Sequence, residues 1–406
     1  MRPLKETVLF HDAVRMVLDG AVPIDRVERV ALSAGDGRVA AHDVIAEVDV
    51  PPFDRAAMDG YAVVAEDTFG AGTHSPKTLR CVDRVFTGEM PVRPIGRGEC
   101  IEIATGAPLP YGADAVVMVE ETERDAGGAE FSVRVLTPVY PRQNVGRRAA
   151  DLKVGERVIR QGQVLSPSQV GALAATGVAS VDVYARPVVA ILSTGNEIVE
   201  PGQPLAPGQI YDINRFTLQA VVERHGGVAV PLPTAADTIE DLSAAVDAAI
   251  GVGDVLVFSG GSSVGDRDLI LDLLERRGEV AFHGIAVKPG KPTAFGRIGT
   301  RPVLGMPGYP ASCLSNAYLL LVPFLRKMAR LPAWQPATID LPLARRVVST
   351  TGRHQFYTVR VGDGFAEPAF KASGDITSMA QADGYIEIPA QTDVVEAGTT
   401  VTVKLF

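Results

Sequence analysis

The sequence predicts a multidomain α/β chain in which a doubly wound, mostly parallel α/β domain is joined to β-rich segments. Three observations predict it. Between residues 186 and 331, short apolar runs alternate with helix-length segments, the pattern of parallel strands covered on both faces by helices. Residues 78–122 are rich in valine, proline and glycine with little helical periodicity, which reads as a small, mostly β insertion. Residues 333–406 carry short valine-rich runs between glycine turns, which reads as a small barrel or sandwich. A length of 406 residues fits two to four domains.

In chain order, Val8, His11, Val14, Val17 and Leu18 recur at helical spacing over residues 7–18. Residues 50–67, VPPFDRAAMDGYAVVAED, begin with two prolines that stop regular structure, then set Asp59 and Gly60 just before a strand. The ordinary fate of such an aspartate is an Asx turn with its own backbone; the alternative is a carboxylate presented from a loop. Thr105 sits in the TGAPLP turn between two strand-like runs. Residues 144–155 gather Arg147, Arg148 and Asp151, either a surface ion-pair group or a place where arginines meet an anion. Residues 166–176, with proline in the first turn, predict a short helix followed by a strand at 178–183.

The α/β region has strands at 188–192, 228–232, 255–258 and 302–305, with helices at 211–225, 238–250 and 313–329. Sheets of this kind bind ligands beyond the carboxyl ends of their strands. Four loops fall there: STGNE, TAAD, SGGSSVGD and MPGYPAS. Asp237 and Glu240 have the spacing of a capping box. Asp254 precedes its strand, so it belongs to the opposite edge and reads as structural.

The stretch 254–295 carries the most chemistry. An apolar strand breaks into SGGSSVGD, residues 259–266, and a helix follows in which Leu269, Leu273 and Leu274 share a face. Glycines and hydroxyls between a strand and a helix N-terminus suit an anionic group. KPGKP then places Lys288 and Lys291 three residues apart on a segment stiffened by two prolines, where both could face one anion. Together these features favour a phosphate or oxyanion site over simple turns.

Composition limits the alternatives. The chain is 46% hydrophobic and 21% charged, with a net charge of −9, a globular balance that argues against general nucleic-acid binding. Cys81, Cys100 and Cys313 form no CxxC pair and no zinc spacing. The first residues are polar where a secretory leader would be apolar, and the longest apolar run, 317–325, is too short to span a bilayer. The expectation is a soluble, cytoplasmic protein with no membrane and no nucleic-acid partner.

The motifs PPFDRAAMDGYAV, IATGAPLPYGADAVV, STGNEI with GQIYDINR, SGGSSVGDRD, AVKPGKPTAFG and GMPGYPAS occur in one order along nearly the whole chain. By these the chain resembles the MoeA family of molybdopterin molybdenumtransferases, which includes the E domain of gephyrin. The resemblance implies four domains: an elongated α+β domain from 1–50 and 146–185, a β-rich insertion at 51–145, an α/β molybdopterin-binding domain at 186–331, and a C-terminal β-barrel-like domain at 332–406. It implies a homodimer with each cleft formed between the α/β domain of one subunit and the insertion of the other. The implied reaction is hydrolysis of adenylylated molybdopterin with Mg2+ and insertion of molybdate, releasing AMP. A molybdopterin adenylyltransferase is a possible partner. Alternatives are a tungstate-preferring paralogue, adenylyl transfer onto molybdopterin, and a non-enzymatic molybdopterin-binding scaffold.

Carried over by motif, the resemblance implies catalytic roles for Asp59, Asp151, Glu197, Asp237 and Asp268. Asp59, Asp237 and Asp268 are the implied metal ligands, and carboxylate oxygens suit magnesium. Thr105, Thr194, Gly195, the 259–263 loop (Ser259, Gly260, Gly261, Ser262 and Ser263), Lys288 and Lys291 are the implied binders of phosphate or molybdate. Pro307, Pro310 and Ser312 would line the pterin or oxyanion pocket, with Ser373 a looser correspondence. Departures from the family pattern are Tyr309 in PGYP, Asn196 in STGNE, Gly284 before KPGKP, and Arg55 with Ala56 before MDGYA.

Overall fold

A computed structural model describes residues 7–125, 131–236, 238–260 and 269–406. The chain divides into two compact units, Met1–Glu28 with Tyr184–Phe406, and Arg29–Val183. The amphipathic helix α1 (Phe10–Asp19) belongs to the first and buries Ala13 and Val17.

The unit Arg29–Val183 is built on a six-stranded sheet: β1 (Gly60–Val63), β2 (Lys77–Val85), β3 (Glu99–Ile103), β4 (Ala115–Met118), β5 (Thr122–Arg124) and β6 (Phe131–Val135), in the order β4-β1-β3-β2-β6-β5. Alternate residues feed two cores. Tyr61, Val63, Cys81 and Val117 face one side, and Ala62, Ile101, Ile103 and Val116 the other. Helix α2 (Pro167–Ala175) starts in a capping box, the Ser166 N–H donating to Gln169 Oε1 at 3.1 Å.

The other unit holds the α/β layer, with strands β7 (Val188–Ser193), β8 (Val228–Pro231), β9 (Val255–Ser259), β10 (Glu279–His283), the two-residue β11 (Val287–Lys288), β12 (Ala294–Ile298) and β13 (Arg301–Met306). Its sheet runs β8-β7-β9-β13-β12-β10. The first four strands are parallel. Val189, Ile191, Val255, Val257, Leu304 and Met306 point to one core, and Ala190, Leu192, Leu256, Phe258 and Val303 to the other. Helices α3 (Asn214–Arg224), α6 (Pro310–Asn316) and α7 (Val322–Met328) join the first core, and α4 (Ile239–Val252) and α5 (Leu269–Arg277) the second. Strand runs apolar on both faces are thereby explained.

Two elements depart from the sequence reading. β12 and β10 add an antiparallel edge, because the tight turn from Ile298 to Arg301 returns the chain beside β12. Helix α4 has Thr238 as its N-cap, whose Oγ1 accepts the Asp241 N–H at 3.1 Å, while Asp237 of the expected Asp237–Glu240 box lies outside the described residues. Asp254 lies at the opposite edge from the strand C-termini. Its carboxylate takes both Arg26 nitrogens at 2.7 Å, Arg301 at 3.2 Å and the Val188 N–H at 2.9 Å.

The C-terminal sheet comprises β14 (Thr338–Pro342), β15 (His354–Gly362), β16 (Phe365–Pro368), β17 (Gly384–Ile388) and β18 (Thr400–Leu405), in the order β11-β15-β17-β18-β14 with β16 on β15. β11 therefore runs parallel to β15, pairing Val287 with His354 and Lys288 with Gln355.

On that sheet Glu387 accepts from His354 Nε2 at 2.8 Å and from Lys404. Burial opposes its charge, but His354 and Lys404 outweigh it and hold the carboxyl at about 2. A depressed carboxyl stabilises the fold above its unfolded value of 4.5, and that contribution is lost as pH falls toward 2. Glu387→Gln is expected to cost about 2–3 kcal/mol at neutral pH and to flatten the stability profile below pH 5. Urea titrations across pH check both; an unchanged acid limb would remove Glu387 from the acid response.

Candidate functional site

The carboxyl ends of β7, β9 and β13 converge. The Thr194 N–H donates to Ser259 O at 3.0 Å, and the Gly260 N–H reaches Met306 O at 3.4 Å. Gly260 has φ +95, and a Cβ on it would stand 2.5 Å from Thr194 O. Only glycine fits that close approach. A Cβ on Gly308 would lie 3.6 Å from Gly260 Cα, and one on Gly195 would meet Glu197 Oε1 at 2.7 Å. The structure thus gathers Thr194, Gly195, Glu197, Ser259, Gly260 and Pro307 at one sheet edge. Gly261, Ser262, Ser263 and Asp268 lie outside the described residues, as does Asp237.

Several polar atoms at this edge are buried without a hydrogen-bond partner: Ser193 Oγ, Thr194 Oγ1, Asp212 Oδ2 and Asn214 Oδ1. Each such atom costs about 1–3 kcal/mol unless something satisfies it. Their concentration at the strand ends marks a place where a polar ligand would supply the missing partners.

The loop after β13 is held from two sides. Asn214 Nδ2 donates to Gly308 O at 2.8 Å, and the Ala311 N–H donates to Ser373 O at 3.1 Å. Tyr309 is 66% exposed, and a Cβ on Gly374 would sit 3.7 Å from its ring. Pro310 opens α6, and Ser312 is buried in its first turn. Burial pushes the neighbouring Cys313 thiol up to about 12, against a hydrogen bond with Ser259. Cys313 is therefore packing, not a nucleophile.

The far end of α6 grips the lysine loop. Asn316, fully buried, donates through Nδ2 to Gly290 O at 2.9 Å and Thr293 Oγ1 at 2.6 Å. Gly290 has φ +103, and a Cβ there would stand 2.3 Å from that amide nitrogen. Lys288 Nζ donates to Thr350 Oγ1 at 2.8 Å, while the Lys291 ammonium has no partner among the described residues. The two lysines thus differ: one is anchored and one is open. Helix α6 has seven residues, about 10 Å of rise, so the PGYP loop and the lysine loop occupy the two ends of one short rod.

In the unit Arg29–Val183, Asp59 and Thr105 meet. Asp59 Oδ1 accepts the Thr105 N–H at 2.7 Å, so its bond crosses to another loop and is not an Asx turn. The Thr105 N–H, then its hydroxyl, hold the exposed Asp59 carboxyl below the usual carboxylate range. The Asp151 carboxylate makes no side-chain bond among the described residues; its N–H donates to Val50 O at 3.0 Å. Arg148 pairs with Asp49 at 2.5 Å and donates its N–H to Asp54 at 2.7 Å, the surface-pair reading of that cluster. Among the described residues no three His, Cys, Asp or Glu side chains form a metal-holding group.

Comparison with known proteins places this geometry. Residues 8–177 match the model of the MoeA N-terminal region (domain I and II), and residues 340–406 that of the MoeA C-terminal region (domain IV). Residues 190–327 match the model described as "Probable molybdopterin binding domain". The molybdopterin molybdenumtransferase of Haemophilus influenzae is 34% identical over 389 residues, covering 94% of both chains. The chain belongs to the MoeA family.

Molybdopterin molybdenumtransferase 2 of Mycobacterium tuberculosis is 33% identical over 386 residues, covering 92% of this chain and 94% of its own. A crystal structure of a molybdopterin biosynthesis MoeA protein from Pyrococcus horikoshii superposes with a TM-score of 0.84 at 41% identity, covering 98% of this chain and 99% of that one. The multidomain α/β fold is thus a MoeA fold.

Within this MoeA chain, Asp212, Asn214 and Asn316 are site-edge residues that the sequence reading did not select. The first two lie in the quoted GQIYDINR motif; their signal was an acid and an amide just ahead of a helix. Asn316 left no local signal. Of the departures from the family pattern, Gly284 donates its N–H to Thr293 O at 2.8 Å behind the lysine loop, and Ala56 is buried.

Proposed function

We propose that this chain is a molybdenum insertase: it hydrolyses adenylylated molybdopterin, releases AMP and delivers molybdate to the dithiolene. One observation carries the reading: buried hydroxyl and amide oxygens without hydrogen-bond partners stand at one end of α6, and a lysine with no partner among the described residues lies on the loop at the other. Glycine-loop N–H groups and Lys291 bind phosphate or molybdate oxygens. Lys288, tied to Thr350, orients the loop and adds charge. Asp59, kept ionised, holds a cation or orients water at the adenylyl phosphorus.

Magnesium suits this donor set, since Asp59 offers a hard, ionised carboxylate at an exposed position. Asp59 would hold the ion with Asp237 and Asp268; when bound, the ion neutralises phosphate charge. We further read four domains, at 1–50 with 146–185, 51–145, 186–331 and 332–406, the last closing as a β-barrel-like domain. We read a cytoplasmic homodimer whose clefts are shared between subunits, Asp151 and Glu197 completing the acidic set, and a molybdopterin adenylyltransferase as a supplier of substrate. Among the described residues no helix is long and apolar enough to cross a membrane.

The test is AMP release from adenylylated molybdopterin with magnesium, comparing molybdate with tungstate. Metal-dependent release supports the insertase, and the ratio of the two oxyanions reports what Tyr309 does to metal choice. Tight nucleotide binding without release would overturn it in favour of a scaffold. Lys288→Ala is expected to weaken molybdate binding about tenfold, roughly one charge-assisted contact, with little change in melting temperature. Unchanged affinity in equilibrium dialysis would leave Lys288 only a partner of Thr350.

A further inference from the structure

At the opposite edge of the α/β sheet, between the end of α3 and the C-terminal strand, lies a cavity of about 160 Å³. Its walls are aromatic. Trp334 stacks on Tyr318 at 5.4 Å, His225 meets Trp334 edge-on at 5.3 Å, and Phe406 lies 5.2 Å from Tyr318. A cavity of about 150 Å³ accommodates one benzene ring.

Three further observations point to a ligand. His225 is 5% exposed and its Nδ1 has no partner. Burial, then Arg326 and Arg224, hold that imidazole neutral, with its pKa at about 4. Tyr318 sits on a π-helical turn, Ala317–Leu321, between α6 and α7; such turns interrupt regular hydrogen bonding and recur at functional sites. Finally, Arg224 lines the cavity and Arg326 lies near His225, and neither guanidinium has a carboxylate partner among the described residues. Arg326 Nε is spent on Pro332 O at 2.7 Å, which leaves Arg224 as the cation among the residues that line the cavity.

We propose that this cavity binds a single-ring aromatic carboxylate, its ring between Trp334 and Phe406, its carboxylate on Arg224, with His225 as a neutral hydrogen-bonding wall. Ring size follows from the volume, aromatic character from the walls and negative charge from a guanidinium with no carboxylate partner among the described residues. The site is separate from the glycine loops, which lie at the other ends of the strands.

Trp334 is the only tryptophan of the chain, so its emission reports occupancy. The full-length protein is titrated with benzoate, benzamide and cyclohexanecarboxylate. The expected result is a saturable change with benzoate, about tenfold weaker binding of benzamide, and weaker binding of the saturated ring. Arg224→Gln, at an exposed position, should weaken benzoate to the level of benzamide, and Ala337→Phe should abolish the response by filling the space. No saturation with benzoate overturns the site. Equal binding of benzamide, or an unaffected Arg224→Gln variant, overturns the assignment of an anionic ligand.

Discussion

Asp59→Ala is expected to lower AMP release by about 10²- to 10³-fold, the scale for removing one preorganised charged group from a reacting phosphate, while leaving the melting temperature nearly unchanged. The two expectations have one origin. Asp59 is exposed, and among the described residues its side chain bonds only to Thr105, so it supports no core. Asp59→Asn separates charge from shape, because the amide oxygen still accepts the Thr105 N–H. If charge is what matters, the asparagine variant should be almost as poor as alanine. Wild-type turnover in either variant would remove Asp59 from the mechanism, and a large fall in melting temperature would make it a structural residue.

The second large effect is expected at Asn316. Asn316→Ala removes a buried amide that bonds both Gly290 and Thr293, and should cost about 2–3 kcal/mol through the lost bonds and the space left behind. Its functional mark should be distinct from its stability cost. With the loop released from α6, half-saturation for molybdate should rise about tenfold at temperatures where the variant is fully folded, with a smaller effect on the maximal rate. Thr350→Val offers the comparison from the other side, since it frees Lys288 without touching the core. If Asn316→Ala loses stability but keeps wild-type half-saturation, the amide holds the fold and not the lysines.

Much of the α/β layer was readable because both-face burial leaves unbroken apolar runs, which became β7, β9 and β13, while the edge strand β8 is an apolar run that stays partly exposed. The loops after them were readable for the same reason: glycine and hydroxyl residues stand out beside valine and leucine. What stayed hidden depends on contacts far apart in sequence. β10 and β12 are strands because they pair with each other and β12 pairs in turn with β13, and nothing local in 279–283 says so. Asp59 could have closed its own turn; that it reaches Thr105, 46 positions away, is decided by the pairing of β1 with β3. The grip of Asn316 on Gly290 spans 26 positions and involves an ordinary buried amide. Patterning reveals which surfaces must be covered, and tertiary pairing decides which polar groups meet.

Strand β11 has a consequence for how this protein can be taken apart. Val287 and Lys288, at the start of the lysine loop, are stitched into a sheet whose other strands begin at Thr338 or later. A fragment ending near residue 335 would keep every glycine loop and lose the backbone that steadies Lys288. Chimeras between relatives should therefore exchange 286–293 together with 338–406, because the natural seam of inheritance runs through the sheet and not between consecutive stretches of chain.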